Sequence, residues 1–120
     1  MKTPTDPRHQ QRIKLIKDLY QYSFQKKYSH PKSKKIINAL PKIDALIEKA
    51  APEWPVNKLN KIDLAILRLA VFELKIDKKA PPKVTIDEAV ELAKEFGAQN
   101  SPKFINGVLG FLLKNKDGSK

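Results

Sequence analysis

Two histidines and no cysteine are the nitrogen and thiolate ligands that this chain of 120 residues could offer a zinc ion. Neither histidine has company: His9 stands near the N-terminus among glutamines and arginines, and His30 precedes a proline. A zinc site would therefore need an unusual shell of carboxylates. The lack of cysteine also removes disulfides and thiol nucleophiles, and suits a reducing cytoplasm. Asp87, Glu91 and Glu95 recur every four residues and so stack on one helical face. That spacing could serve acid–base work or a metal, but no histidine lies near in sequence, and a solvated face is the expected reading. No phosphate-cradling glycine loop, nucleophile elbow or H-E-x-x-H motif occurs. The expectation is a protein that is not an enzyme and that carries no cofactor and no metal.

The chemistry that is present is cationic. Lysine and arginine number 24 against 13 acidic residues, a formal charge of +11. The excess is uneven, because residues 1 to 35 hold ten basic and two acidic side chains. Such a field raises encounter rates with polyanions without choosing among them, and a lysine-rich solubilising surface would give the same composition. Arg8, Arg12 and Lys14 cluster where a helix should begin, and positive charge there opposes the helix dipole. Asn100, Ser101, Lys103 and Phe104 stand at a second helix start. Backbone N–H groups at a helix start can donate to phosphate, Lys103 adds charge, and an exposed Phe104 would offer a base-stacking platform. The pair of groups suits single-stranded RNA if they converge; Phe104 could equally turn inward as core.

The elements that must position these groups are helical throughout, since strand-like alternation is missing and glycine is scarce. Apolar residues Ile13, Ile16, Leu19, Tyr20 and Phe24 recur at three and four, which predicts a helix over residues 8 to 26. Prolines at 31 and 41 break the following lysine-rich stretch, leaving a short helix near residues 33 to 39 and another opening at Pro41 and stopped by Pro52. Trp54 is expected to pack on the core. Residues 60 to 76 are apolar nearly all round and predict the central buried helix, with Asn60 as cap and Asp63 in a capping-box-like position. Within it, Arg68 is expected to pair with a carboxylate. Thr85 and Glu88 form a T-x-x-E box that should open the next helix, and Gly97 should stop it in the left-handed conformation. The last helix should open at Ser101 and Pro102, with Gly107 packed closely against another backbone. Residues 1 to 7 are read as a flexible arm, 8 to 114 as one domain, and 115 to 120 as a flexible tail. No stretch approaches the ~20 apolar residues of a membrane span, so no membrane partner is expected.

Three blocks in the second half are diagnostic: D-x-A-I-L-R-L-A-x-x-E-L from Asp63, P-x-K-V-x-I-x-E-A-x-E-L-A-K-x-F-G from Pro81, and K-F-x-N-G-V-L from Lys103. In this order and spacing they closely resemble the C-terminal half of NusB proteins, and the upstream I-D-A-L-I-E-K-A and D-L-Y-Q are similar to the family's as well. The resemblance implies an all-α fold, a compact bundle of about six helices in two small subdomains. It implies a cytoplasmic transcription antitermination adaptor that binds boxA-like single-stranded RNA together with NusE, mainly at ribosomal RNA operons, and meets other Nus factors and RNA polymerase indirectly. By position, the family's arginine-rich RNA box falls on Arg8, His9, Gln10, Gln11 and Arg12. Its C-terminal RNA-contacting segment falls on Asn100, Ser101, Lys103 and Phe104, and its NusE-facing surface on Tyr20, Phe24 and Asp63.

Two departures stand out. The arginine box keeps arginine only at its ends, which shifts weight to Lys14 and the arm, and residues 27 to 42 look shortened, so the N-terminal subdomain is expected to be reduced. The alternative is a protein–protein scaffold or self-associating helical module, a homodimer included, with weakened RNA binding. Double-stranded DNA binding fits less well, because no helix rich in Arg, Asn and Gln stands out.

Overall fold

The computed structural model describes residues 6–115, so residues 1–5 of the expected arm and 116–120 of the expected tail lie outside the described residues. Asp6 and Pro7 are already the start of helix α1, Pro7–Gln25. The Asp6 carboxylate accepts from the Arg8 N–H at 2.9 Å, and proline at the first helical position gives up no donor the helix needs. Leu15, Ile16 and Leu19 face the core. The helix ends at Lys26, which takes the left-handed conformation with φ 58° and returns its N–H to the Tyr22 carbonyl.

Helix α2, Pro31–Asn38, starts two residues earlier than its sequence pattern suggests, because His30 Nδ1 caps it by accepting from the Lys32 N–H at 3.1 Å. Helix α3, Leu40–Ala50, has Pro41 in its first turn and buries Ile43 and Ile47. The turn after it is closed by the Trp54 N–H on the Ala51 carbonyl. Ala51 and Leu59 supply the buried side chains here, and Trp54 stays 52% exposed instead of packing on the core. A single 3₁₀ turn, Val56–Lys58, leads into α4.

Helix α4, Lys61–Val71, buries every residue from Leu64 onward. Asn60 Oδ1 caps it by accepting from the N–H groups of Ile62 and Asp63. The helix then widens into a π-helical segment, Phe72–Asp77, closed by the Lys78 N–H on the Glu73 carbonyl, five residues back. Helix α5, Pro82–Phe96, opens a turn before the expected box. The Pro81–Pro82 pair pre-sets φ and removes donors at the point where a helix start has them to spare, so no side-chain cap is needed there. Thr85 is consequently inside the first turn and buried, with its N–H on the Pro81 carbonyl, and Glu88 faces His9 and Arg12 instead of the helix start. Helix α6, Ser101–Lys114, completes the order.

Six α-helices and no strand are found among the described residues. Helix α4 packs against α1, α3, α5 and α6, α5 lies along α6, and α2 bridges α1 and α3. Apolar side chains from all six helices join one continuous core. Arg68, the buried cation of α4, forms the expected ion pair: its guanidinium grips Asp44 of α3 through two hydrogen bonds of 3.0 and 2.9 Å. No described helix is long and apolar enough to cross a membrane.

Candidate nucleic-acid interface

The basic start of α1 divides into cations that face water and groups that face protein. Arg8 is 83% exposed and only loosely paired with Asp6 at 3.4 Å, and Lys14 is exposed. Arg12, one helical turn from Arg8, turns inward. Its Nε and Nη2 donate to the two carboxylate oxygens of Glu73 at 2.9 and 2.8 Å, and Nη1 lies 3.5 Å from Glu88. The bond to Glu73 raises the Arg12 pKa further above its ordinary value, against the opposing effect of burial. His9 is likewise enclosed, with Nδ1 3.2 Å from Glu88 and Nε2 3.4 Å from Glu95. The helix start thus tolerates its positive charge partly because α5 and the π-helical segment bring carboxylates to it.

In front of these residues lies an open groove of about 700 Å³, bordered by Arg8, Gln11 and Arg12 of α1, Lys32 of α2, and Lys79 and Asp87 beyond the π-helical segment. Lys32 and Lys79 were not singled out from sequence. Nothing in their local spacing marks them, since they reach the groove only through the packing of α2 and of the loop after Asp77.

At the head of α6, Asn100 and Lys103 are exposed. Ser101 is buried and occupied: its Oγ accepts from the Ala98 N–H at 2.9 Å, tying down the turn between α5 and α6. Gly97 does not take the expected left-handed conformation; its φ is −93°. It is glycine because a Cβ there would sit 2.7 Å from Ser101 Cβ and 2.8 Å from the Ala93 carbonyl oxygen. Gly107, expected to touch another backbone, is exposed, with nothing within 4 Å of an added Cβ. Phe104 is half-buried and packs against the core, leaving part of its ring accessible. A shallow second groove between α5 and α6 is bordered by Asp87, Glu91, Lys94 and Lys103. Asp87 borders both grooves, and no hydrogen bond or ion pair among the described residues links the α1 group to the α6 group. The two sets are neighbours across α5, with its exposed acidic residues between them.

Farther along α1, Tyr20 and Phe24 are exposed and meet edge to face with ring centroids 5.0 Å apart. Asp63 is half-buried in the first turn of α4, and its Oδ1 finds no donor in the described chain. The carboxylates at 87, 91 and 95 are all exposed as expected, and Glu95 also lies 3.4 Å from His9 Nε2. No group of three or more His, Asp or Glu residues suited to a metal occurs among the described residues.

One residue missed in sequence organises the whole N-terminal corner. Asp18, buried between Leu15 and Leu19, accepts hydrogen bonds from Ser29 N–H and Oγ–H, His30 N–H and Ser33 Oγ–H, at 2.7 to 3.0 Å. Burial alone would push its carboxyl up, but these bonds outweigh burial and hold it below its ordinary value of 3.8. The signal available in sequence was a lone acid on the apolar face of an amphipathic stretch, followed by the capping run S-H-P-K-S.

Comparison with known proteins places these features. The model of the NusB family matches residues 23–114. Curated relatives include the transcription antitermination protein NusB of Chloroflexus aggregans, 60% identical over 73 residues covering 59% of this chain and 49% of the relative. Its counterpart in Agathobacter rectalis is 47% identical over 85 residues, covering 71% and 65%. The chain thus spans about half to two thirds of the length of the curated relatives it matches. Among solved structures, NusB of T. maritima superposes with a TM-score of 0.79 at 36% identity, covering 95% of this chain and 93% of that one. A chain in a crystal structure described as that of a plectonemic RNA supercoil superposes with a TM-score of 0.75 at 25% identity, covering 89% and 94%.

Proposed function

The chain belongs to the NusB family, and from that premise we propose that it is an RNA-binding transcription antitermination adaptor, binding boxA-like single-stranded RNA together with NusE, mainly at ribosomal RNA operons. The observation that carries this reading is the head of α6. There the K-F-x-N-G-V-L block is complete, with Asn100 and Lys103 exposed and part of the Phe104 ring accessible, on a chain of net charge +11. Arg8, Lys14 and Lys103 act as phosphate contacts, and the free edge of Phe104 as a limited stacking surface. His9, Arg12 and Ser101 belong to the same family positions but serve by holding α1 and the α5–α6 turn in place. The exposed Tyr20–Phe24 pair and Asp63 form the surface offered to NusE, where an aromatic pair supplies contact area and the carboxylate a recognition point. A fold shared with a chain from an RNA-containing crystal accords with this role.

The test is binding of a boxA-like RNA and of an unrelated RNA, with and without NusE, across a series of salt concentrations. Affinity for the boxA-like strand should exceed that for the other, rise with NusE, and fall with a log–log slope of about 0.7 per phosphate neutralised. Equal affinity for both strands with no gain from NusE would defeat the proposal.

A second reading, a protein scaffold with weakened RNA binding, is favoured by one observation: Arg12 is committed to Glu73 and not offered to solvent. Lys103→Glu separates the two, because it reverses an exposed charge without touching the core. Under the first reading RNA binding collapses and NusE binding survives; under the second neither changes.

A further inference from the structure

Between Asp6 and Asp44 the chain contains a single acidic residue, Asp18, and that carboxylate is turned inward and saturated by the donors of Ser29, His30 and Ser33. The corner it holds together is crowded with lysine: Lys26 and Lys27 follow the last turn of α1, and Lys32, Lys34 and Lys35 lie on α2. None of these five ammonium groups has a carboxylate partner among the described residues. Lys26 instead lies over the Tyr22 ring at 5.1 Å, and Tyr28, 6.4 Å from Tyr22, is 41% exposed. Lys32 and Lys35 share one helical face, and like charges so placed repel. All three arginines, with Lys79 and Lys94, have a carboxylate beside them, while lysines elsewhere on the surface such as Lys14 and Lys103 are, among the described residues, unpaired like those of the corner. What distinguishes the corner is five of them within ten residues with no exposed acid among them. An uncompensated cluster beside an exposed aromatic ring has the composition of a surface that tracks a nucleic-acid backbone.

We infer that the lysine corner formed by the end of α1 and by α2 is a second RNA contact, which engages the phosphate backbone of single-stranded RNA flanking the recognised element. The inference rests on the RNA-binding reading above and extends it to a surface outside the two family segments. Continuity supports it, because Lys32 borders the same groove as Arg8, so a strand leaving the start of α1 meets α2 next. The corner also supplies cationic contacts that Arg12 does not, its guanidinium being held by Glu73.

The experiment compares a short boxA-like RNA of roughly 12 nucleotides, within the span of one small binding site, with the same RNA carrying an unstructured single-stranded extension. Both are titrated against the full chain and against the quadruple variant Lys26→Gln, Lys27→Gln, Lys34→Gln, Lys35→Gln. All four positions are exposed, and circular dichroism with thermal melting verifies the fold. For the unaltered chain the extension should tighten binding about tenfold or more near 0.1 M salt and steepen the log–log salt slope by about 2 to 3, the value for four contacts at ~0.7 each. The variant should bind the short RNA unchanged and lose both the gain and the added slope. A gain that persists in the variant, the absence of any gain in the unaltered chain, or an equal loss on short and long RNA would each overturn the inference. So would loss of binding to phosphatidylserine vesicles with the RNA gain intact, which would give the corner to a membrane surface. Failure of the broader reading looks different: there the unaltered chain shows no preference for boxA-like over unrelated RNA, while the gain with length is still measurable on either strand.

Discussion

Helix α4 buries eight successive residues from Leu64 to Val71, seven of them aliphatic, whereas α1 buries four, and one of those is the carboxylate of Asp18. The two regions are held by different physics. The α4–α6 side depends on dispersion and the removal of apolar surface from water, which need no specific partner atom and change little with pH. The α1–α2 corner is attached through polar joints as well: Asp18 to the α2 entry, Arg12 to Glu73 and Glu88, His9 to Glu88 and Glu95. A polar joint is directional and conditional, because removing one partner strands the other in a poorly solvated place. The part of the molecule that presents most free positive charge is therefore the part whose attachment is most easily broken by a single change of charge.

The comparison is broken most forcefully on the apolar side. Leu67 is fully buried in α4, and Leu67→Ala should cost about 3 to 4 kcal/mol, the usual range for a core truncation that leaves a cavity. Chemical denaturation checks this, and the loss should be nearly the same at pH 5 and pH 7. On the polar side, Arg12→Ala leaves Glu73 without its cation and takes one of several partners from Glu88, and should cost about 2 to 3 kcal/mol, somewhat under the figure for a fully buried pair. Replacing Arg12 and Glu73 together by methionine should recover part of that loss. A double variant as unstable as Arg12→Ala would show that the guanidinium matters through Glu88 instead.

Asp18 gives the comparison a pH axis. Its folded pKa lies below the ordinary 3.8, so the stability it contributes is complete above the unfolded value and disappears as pH falls through the folded one. Unfolding followed from pH 6 down to pH 2 should reveal that acid-sensitive increment in the unaltered chain. Asp18→Asn places an amide against four donors and should cost about 1 to 2 kcal/mol at neutral pH, with a flatter profile below pH 4. A profile as steep as that of the unaltered chain would remove Asp18 as the acid-sensitive joint. The smallest effect has the opposite sign. Gly107 has open space around it, so Gly107→Ala should stabilise by about 0.5 to 1 kcal/mol through helix propensity. Gly97→Ala should instead destabilise by about 1 kcal/mol or more through contact with Ser101; both are read from thermal midpoints.

Much of the fold was legible because helical period and punctuation act locally. The order of six helices, the central place of residues 60 to 76, the Asn60 cap and the charge pairing of Arg68 all follow from residues within a turn or two, or from the cost of burying an unpaired cation. Where reading by local rule went astray, a competing local rule prevailed. Pro81 and Pro82 opened α5 ahead of Thr85, and Gly97 answered to the bulk of Ser101 instead of to a left-handed turn. The candidate site was less legible. Spacing gathered Arg8 and Arg12 into one basic group, but a helix has two faces, and only the tertiary neighbours show that one arginine meets water and the other meets Glu73.

By itself the sequence determined the class of the protein: an all-helical chain, a family marked by three blocks in fixed order, and a positive charge concentrated toward its start. Periodicity, composition and motif spacing are properties of the chain read along its length, and they survive without coordinates. Tertiary structure alone decided which cations are spent inside the molecule and which remain for a partner. Ion pairs such as Arg12 with Glu73, 61 positions apart, form by packing across distances that no local pattern spans.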